Sequence, residues 1–380
     1  MTIKSIRDIK DLAGKTVFLR ADLNVPIKSN KVKEDYKIVQ TLPTIRFLLR
    51  NKCRLIIATH LSDEKATAKP AANRLARLLD KKVLFINGGL NDKTVKQIKN
   101  AKTKEIIFLD NLRFNPGEEK NDRVFGKTLA GLADIYVNDA FAVSHRNHAS
   151  VSAIKNYLPG YAGLLLEKEI INLNKVLKPK RPLVSIVGGS KIETKIALLN
   201  NLAKKSYRVL IGGALANNFI AAKGFEIGRS LSDKKSINLA AALMKKYKNL
   251  ILPLDVLAAK KMDSDNFMVK PAAGVGPDEI ILDIGPRTVK LFADYIKKAN
   301  TLIWNGPLGY FESPHFKFGT LSVARLVAAR STGKAFGAVG GGETIEALKM
   351  TKMENYVDWV STGGGAMLAY LGGEPMPGLK

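Results

Sequence analysis

Short apolar runs alternate with amphipathic stretches along this whole chain. The runs are about four to six residues long and rich in Val, Ile and Leu, and the stretches between them extend over about ten to fifteen residues. Strands and helices that alternate in this way form βα units, in which helices cover both faces of a parallel sheet. The pattern therefore predicts the α/β class. At 380 residues the chain exceeds one ordinary hydrophobic core, so we expect two domains.

The two halves differ in the residues that come directly after each apolar run. Runs in the C-terminal half end in glycine clusters, which are Gly188-Gly189, Gly212-Gly213, Gly306 to Gly309, Gly340–Gly342 and Gly363–Gly365. Runs in the N-terminal half lead into polar or cationic side chains, among them Asp22, Asn24, His60, Arg113 and Arg146. In open α/β sheets, ligands bind beyond the carboxyl ends of the strands. We therefore expect two binding edges, one formed by backbone and one by side chains.

Composition excludes several classes of protein. Hydrophobic residues make up 46% and charged residues 25% of the chain, which argues against extensive disorder. No apolar stretch approaches the roughly 18 residues required to cross a bilayer. The first residues carry charges where a signal peptide would be apolar, and the single Cys53 fits a reducing compartment. We expect a cytoplasmic protein without a membrane partner.

The net charge of +27 raises the question of a polyanion partner. The lysines are scattered, and no aromatic residues interleave with them as stacking platforms for bases would. We therefore expect a solvated basic surface around an anion-binding cleft and no dedicated nucleic-acid site. A polyanion-binding protein on this scaffold would require a contiguous basic stripe outside that cleft.

The common nucleotide and metal fingerprints are missing. Ile9 and Asn121 stand where the first glycine of a Walker A motif would precede Gly14-Lys15-Thr16 and Gly126-Lys127-Thr128, and no GxGxxG follows a strand. The histidines lack the spacing of a zinc site. The segment from Val187 to Lys195 instead predicts a strand, a glycine turn and a helix start, with Lys191 and Lys195 one helical turn apart on a common face. Such a turn offers N–H groups and two cations to phosphates.

Several further motifs occur in a fixed order along the chain. They are Arg20–Pro26, Asn111–Phe114, Asn138–Phe141, Trp304–Glu312, Gly340–Thr344, Ser361–Ala366 and Met376–Gly378. Together they resemble the phosphoglycerate kinases, and the resemblance runs from end to end. It implies reversible, Mg²⁺-dependent phosphoryl transfer from 1,3-bisphosphoglycerate to ADP, which gives 3-phosphoglycerate and ATP. It also implies two Rossmann-like parallel-sheet domains joined by a hinge helix, with a cleft between them.

The resemblance assigns roles to individual residues. The substrate-binding residues it implies are Asp22, Asn24, Lys37, His60, Arg113 and Arg146. The nucleotide-binding residues it implies are Gly189, Lys191, Lys195, Gly212, Gly213, Asn305, Glu312, Gly340, Gly341, Gly342, Glu343 and Thr344. Catalytic roles fall to Lys37, Lys191, Gly341 and Gly364, and Glu343 is the implied Mg²⁺ ligand. In-line transfer needs position and positive charge rather than covalent chemistry, which suits these residue types.

The resemblance also suggests domain boundaries. We expect residues 1–165 with the tail 366–380 to bind phosphoglycerate, and residues 166–365 to bind nucleotide. The predicted helix Ala162–Leu177 and the turn Ser361–Gly365 are the expected hinges. Leu164, Leu165, Ile170, Ile171 and Leu173 should form the apolar face of that helix. We expect a monomer.

Three residues depart from the family pattern at functional positions. Lys37 replaces an arginine, so the charge stays but the planar fork is lost. Asp63 replaces a substrate-binding arginine and would repel a phosphate unless Lys65 or Lys69 compensates. Glu343 replaces an aspartate and remains an oxygen ligand for Mg²⁺. These departures leave a second hypothesis open, namely a degenerate member that binds nucleotide but has turned to another acidic substrate or to a binding role.

Overall fold

The structure is a computed structural model that describes residues 4–101 and 106–380. It divides into two compact units, unit 1 with residues 1–170 and 375–380, and unit 2 with residues 171–374. Each unit contains a six-stranded parallel sheet. The predicted α/β class with two parallel-sheet domains is therefore confirmed.

The parallel sheet of unit 1 has the strand order β5-β6-β4-β1-β7-β8. Its inner strands are buried almost throughout, as expected for a sheet covered on both faces. A short hairpin of β2 and β3 is separate from it. The strands are β1 (Thr16–Arg20), β2 (Ile27–Lys28), β3 (Lys31–Val32), β4 (Arg54–Ala58), β5 (Val83–Ile86), β6 (Ile106–Leu109), β7 (Ile135–Asn138) and β8 (Gly160–Ala162).

Helices cover both faces of this sheet. Alternate residues of β1 point to opposite sides, so Val17 and Leu19 lie in one core cluster and Phe18 in another. The helices are α1 (Tyr36–Arg50), α2 (Lys69–Leu79), α3 (Asp92–Asn100), α4 (Arg123–Ala130) and the first part of α5 (Leu164–Leu177), which continues into unit 2. None of the helices in the described residues combines the length and hydropathy needed to cross a membrane.

The last six residues of the chain pack on unit 1. The Gly378 N–H donates to the Ser144 carbonyl at 2.8 Å, and the Gly378 carbonyl accepts from Asn138 Nδ2 at 3.1 Å. A Cβ on Gly378 would lie 2.8 Å from Ser144 Cα, so the close approach requires glycine. Unit 1 is therefore built from two separate stretches of the chain.

Unit 2 has a parallel sheet of order β11-β10-β9-β15-β16-β17. The strands are β9 (Leu183–Val187), β10 (Arg208–Ile211), β11 (Leu250–Ile251), β12 (Asp255–Ala259), β13 (Phe267–Pro271), β14 (Ile280–Ile284), β15 (Thr301–Asn305), β16 (Phe336–Gly340) and β17 (Trp359–Ser361). The helices are α6 (Ile196–Lys205), α7 (Gly213–Ala222), α8 (Lys234–Lys246), α9 (Pro286–Ile296), α10 (Phe318–Ser331), α11 (Gly342–Met350) and α12 (Gly364–Gly372).

Strands β12, β13 and β14 form an antiparallel sheet that the alternation of strands and helices did not predict. Only residues 260–266 connect β12 to β13. A parallel crossover needs a dozen or more residues, so this short link leaves antiparallel pairing as the available geometry.

The connecting helix also differs from its prediction. It begins at Leu164 rather than Ala162, because Gly160–Ala162 forms strand β8 beside β7. Ile171, predicted on the apolar face, is 51% exposed, which corrects that assignment. The other four predicted apolar residues are buried.

Candidate functional site

The glycine clusters of unit 2 lie together at the carboxyl edge of its parallel sheet. Strand register places Ile211, Val187, Asn305, Gly340 and Ser361 in one row across five strands. Gly340 begins one of the predicted glycine clusters, and each of the other four residues is followed by a cluster within two residues. Because parallel strands end at a common edge, motifs that are far apart in the sequence lie side by side on one surface.

The turns after β9 and β15 approach each other too closely for side chains. Gly306 has φ +93°, and a Cβ there would lie 2.3 Å from the Gly188 carbonyl oxygen. Gly213 has φ +64°, and its Cβ would lie 2.5 Å from the Pro307 carbonyl oxygen. The Gly189 N–H donates to that same oxygen at 2.7 Å. Backbone thus forms the surface at this edge.

Three helices begin at this edge. Helix α7 starts at Gly213, α11 at Gly342 and α12 at Gly364. A Cβ on Gly364 would lie 3.3 Å from Gly341 Cα, so the starts of α11 and α12 adjoin. Helix N-termini carry partial positive charge and unpaired N–H groups, which makes them sites for anions.

Asn305 and Thr344 fix the loops between these helix starts. Asn305 Nδ2 donates to the Gly340 carbonyl at 2.7 Å, and Thr344 Oγ1 accepts from the Gly306 N–H at 2.7 Å. Both side chains are buried. In this structure they hold the backbone in place, a role that their motifs alone did not indicate.

The two predicted phosphate lysines have different environments. Lys195 is 8% exposed, and its ammonium donates to the Gly188 carbonyl beside Gly189 and Gly306. Lys191 is exposed. They do not share a helical face, because a 3₁₀ turn over Glu193–Lys195 precedes α6, and this corrects the predicted helix start.

Burial changes the acidity of Lys195. Desolvation lowers the pKa of its ammonium to about 8, against a smaller opposing influence from Glu343. A bound phosphate would favour the charged form and return the pKa toward its ordinary range. Nucleotide binding and protonation of Lys195 should therefore be linked.

If this edge binds the ADP that the resemblance implies, binding at pH 9 should take up nearly one proton, because Lys195 is mostly neutral in the free protein and charged beside phosphate. Calorimetry in two buffers of different ionisation enthalpy measures this uptake. Affinity should also fall as the pH rises above about 8. The control is Lys195→Met, in which the uptake should vanish; uptake of the same size in that variant would assign the proton to another group.

A cavity of about 440 Å³ lies next to these turns. It is lined by the predicted residues Gly189, Gly213, Glu312 and Glu343 and mostly by apolar side chains. An apolar cavity with a few polar groups at its border suits a flat base joined to a sugar and phosphates. Gly212 lies close by, since a Cβ there would touch Leu308 of the lining.

Asp283 also lines this cavity, and the sequence analysis missed it. Its carboxylate accepts from the Gly319 N–H at 2.7 Å and from the Ile284 N–H at 2.9 Å. Burial raises its pKa to about 7, although these two hydrogen bonds oppose the shift. Its position at the end of an apolar strand before Gly285 was the available signal.

The polar side chains predicted in unit 1 converge at the carboxyl edge of its own sheet. Lys37 Nζ lies 2.7 Å from Asp22 Oδ2, and Asp22 is only 3% exposed. Burial raises the pKa of Asp22, but Lys37 and His60 outweigh this and hold the pKa below its ordinary value. Lys37, for which the resemblance implies an arginine position, is therefore paired with a carboxylate in this structure.

His60 forms a hydrogen bond with a fully buried arginine. Arg20 Nη2 lies 3.3 Å from His60 Nδ1, and because arginine can only donate, Nε2 carries the imidazole proton. Burial first, and then Arg20, lower the pKa of His60 to about 3, so the ring is neutral near pH 7. Arg20 also donates to Ser150 Oγ at 2.8 Å. The sequence analysis did not include Arg20 among the site residues.

Asn24 and Arg113 meet at one loop. Asn24 Nδ2 donates to Ser62 Oγ at 2.8 Å, and Arg113 Nη1 donates to the Ser62 carbonyl at 3.0 Å. Arg113 Nη2 pairs with Glu119 at 2.9 Å, while its buried Nε has no hydrogen-bond partner among the described residues. Arg146 is half-buried and lowers the pKa of the nearby His60.

Asp63 does not point its charge freely into this site. Its carboxylate accepts from the Lys65 N–H at 2.9 Å within its own exposed loop. Its carbonyl accepts from Asn111 Nδ2 at 3.0 Å. The residue that replaces an arginine therefore shapes the loop.

Comparison with known proteins gives one consistent result. The family model for phosphoglycerate kinase matches residues 6–374. Phosphoglycerate kinases from Dictyoglomus turgidum and Rhizobium meliloti are 40% and 39% identical, each over 100% of this chain and 98% of the relative. The structure resembles phosphoglycerate kinase from Coxiella burnetii with a TM-score of 0.88 at 36% identity, covering 100% of this chain and 98% of that one. For Pyrococcus horikoshii the TM-score is 0.86 at 31% identity, with 99% and 98% covered.

Proposed function

Because the chain belongs to the phosphoglycerate kinase family, we propose that unit 2 binds ADP or ATP and unit 1 binds the phosphoglycerate. The protein is a phosphotransferase with a carboxyl group as acceptor. In the glycolytic direction, the bond between phosphorus and the acyl oxygen of 1,3-bisphosphoglycerate breaks, and a bond to the terminal phosphate oxygen of ADP forms. The products are 3-phosphoglycerate and ATP. The observation that carries the assignment of unit 2 is the convergence of three helix N-termini at one sheet edge.

The phosphates of the nucleotide would lie against the starts of α11 and α12. The N–H groups near Gly341 and Gly364 face developing charge on the transferred group without having to move at the moment of reaction. Lys195 adds a cation from beside Gly188. Lys191 adds a second cation, and its exposed side chain can reorient toward the phosphates. The base would occupy the apolar cavity and Glu312 would accept from the ribose hydroxyls.

The donor set fits a Mg²⁺ ion that arrives with the nucleotide. Within the described residues no three His, Cys, Asp or Glu side chains are grouped as a metal cage would require. Mg²⁺ is commonly held by one or two carboxylates together with substrate phosphates. Glu343, exposed in the first turn of α11 and at the border of the cavity, is placed to supply one carboxylate. When bound, the ion would neutralise phosphate charge.

We expect Glu343→Gln to raise the Mg²⁺ concentration for half-maximal turnover about tenfold, because one charged oxygen ligand becomes a neutral amide. The Mg²⁺ dependence of ADP affinity, measured by calorimetry, should shift in the same direction. Glu346→Gln, one turn along α11, is the matched control and should behave like the parent protein. An unchanged Mg²⁺ requirement in Glu343→Gln would remove Glu343 from the metal site.

In unit 1, Asp22, Asn24 and His60 would orient the hydroxyl and carboxyl groups of phosphoglycerate, and Arg113 and Arg146 would bind its phosphate. Arginine forks match phosphate and carboxylate oxygens. The unpartnered Nε of Arg113 would gain an acceptor if the guanidinium turned toward such an anion. Lys37 would stabilise charge on the transferred group as a point charge.

Transfer requires the donor and acceptor oxygens to come within a few ångströms. With one ligand assigned to each unit, we propose that α5 and the turn at Ser361–Gly365 act as hinges during turnover. We further propose a cytoplasmic monomer, since the reaction uses ADP and ATP and no residue of either proposed site requires a second copy.

A coupled assay of ATP-dependent 3-phosphoglycerate phosphorylation with Mg²⁺, run beside ADP calorimetry, tests these assignments. Turnover with ordinary affinities is the expected result and would mean that Lys37 and Asp63 are tolerated substitutions. Tight ADP binding without turnover would instead favour the degenerate member considered from the sequence, which no structural observation favours.

A further inference from the structure

A second cavity, with a polar lining, lies in unit 1 and shares no lining residue with the two proposed substrate sites. Hairpin β2–β3 and helix α2 enclose about 400 Å³. We call it the hairpin pocket and define it by Lys31, Lys33, Asp35, Asn73, Arg74 and Arg77. Four of these six side chains are cationic.

The charges in the hairpin pocket are not balanced. Asp35 is its single carboxylate, and Arg74 already binds it, with Nη2 at 2.6 Å and Nε at 2.8 Å from Oδ2. Lys31, Lys33 and Arg77 form no ion pair in the described part of the chain. Three like charges therefore border one cavity without neutralisation, which a bound anion would relieve.

Ordered backbone carries these cationic residues, of which Lys31, Lys33 and Arg77 are exposed. Ser29 and Asn30, with φ +50° and +58°, form the tight turn of the hairpin, and the Lys33 N–H donates to the Pro26 carbonyl at 2.9 Å. Arg74 and Arg77 are three residues apart on α2 and so share one face. The cations come from two ordered elements and not from one flexible segment.

We propose that the hairpin pocket binds a small anion with two or more phosphate groups, at a site separate from those of the two substrates. Three unpaired cations on two walls exceed the charge of a single phosphate. The lining contains no aromatic side chain, so the pocket offers no platform for a base and recognises the phosphates themselves. This inference goes beyond the proposed function, and only the choice of the two compounds that fill the substrate sites in its test rests on that function.

The test is a calorimetric titration of tripolyphosphate into the full chain, without Mg²⁺ and with saturating ADP and 3-phosphoglycerate. These two compounds occupy both substrate sites and cannot react with each other. The pocket variant is Lys31→Gln/Lys33→Gln/Arg77→Gln, which leaves the Arg74–Asp35 pair intact. The control, Lys234→Gln/Lys235→Gln/Lys245→Gln on α8, makes the same change in net charge.

The parent protein and the control should each bind one equivalent, and the pocket variant should bind at least tenfold more weakly. Equal binding by all three proteins, or equal losses in both variants, would overturn the site in favour of diffuse surface charge. Single-stranded DNA that binds more tightly than tripolyphosphate and is lost in the pocket variant would overturn the small-anion assignment. Turnover of the pocket variant should stay within twofold of the parent. A failure of the pocket proposal can therefore be distinguished from a failure of the proposed function.

Discussion

Lys195→Met is expected to lower turnover about 10²–10³-fold, the usual loss when one preorganised donor to transition-state charge is removed. Methionine keeps the length and apolar stem of the side chain but removes the ammonium beside Gly188 and Gly306. A coupled assay at saturating ATP and 3-phosphoglycerate measures the loss in kcat.

The thermal stability of Lys195→Met distinguishes the loss of its ammonium from misfolding of the variant. The pKa of Lys195, about 8 instead of 10.5, means that carrying its buried charge costs about 3 kcal/mol. The folded state holds this proton less tightly than the unfolded chain, so the cost applies below pH 8 and disappears as the pH rises toward 10.5. Lys195→Met should therefore melt no lower than the parent at pH 7. Lys204→Met, exposed on the adjacent helix α6, should keep turnover within twofold. A large loss in both variants would point to net charge rather than position.

Lys37→Ala is expected to lower kcat/KM about 10²–10³-fold and the free energy of unfolding by about 2 kcal/mol. It removes the cation assigned to the transferred group and leaves the Asp22 carboxylate, 3% exposed, without its partner at 2.7 Å. The stability loss stays below that of a fully buried pair because the Lys37 side chain is 28% exposed.

The direction in which this stability loss changes with pH follows from the pKa of Asp22. Lys37 holds the pKa of Asp22 below its ordinary value, so the pair stabilises the fold above that ordinary pKa, and this contribution is lost as the pH falls through the lowered one. Parent and Lys37→Ala should differ in urea unfolding at pH 7 and converge in strong acid. Lys37→Arg should restore turnover to the parent level or above. Arginine at or below the alanine level would show that the site has adapted to lysine.

Most of the glycine-rich edge of unit 2 could be predicted from the sequence for a topological reason. In a parallel sheet the carboxyl ends of all strands lie at one edge. Glycines that follow a strand, such as Gly212-Gly213 after Val209–Ile211, are therefore predicted at that edge. No long-range contact has to be known. The same reasoning placed Asp22 and His60 together in unit 1.

Features that depend on contacts between distant residues could not be predicted in this way. Lys191 and Lys195 are the same residue type in one motif, and the contacts that bury Lys195, including one near the distant Gly306, are not visible in the sequence. Asp283 reaches the cavity through an antiparallel sheet that the βα pattern did not indicate. Arg20 ends a strand like many surface arginines, yet it is fully buried and contacts the distant residues Glu118 and Ser150.

The return of the last six residues to unit 1 has a consequence for how the chain is made. Residues 171–374 form a continuous stretch, so unit 2 can complete its fold as soon as that stretch has left the ribosome. Unit 1 is translated first but lacks the contacts of Gly378 with Ser144 and Asn138 until residues 375–380 have followed unit 2 out of the ribosome. During synthesis, the half of the protein that emerges first is the half that is finished last.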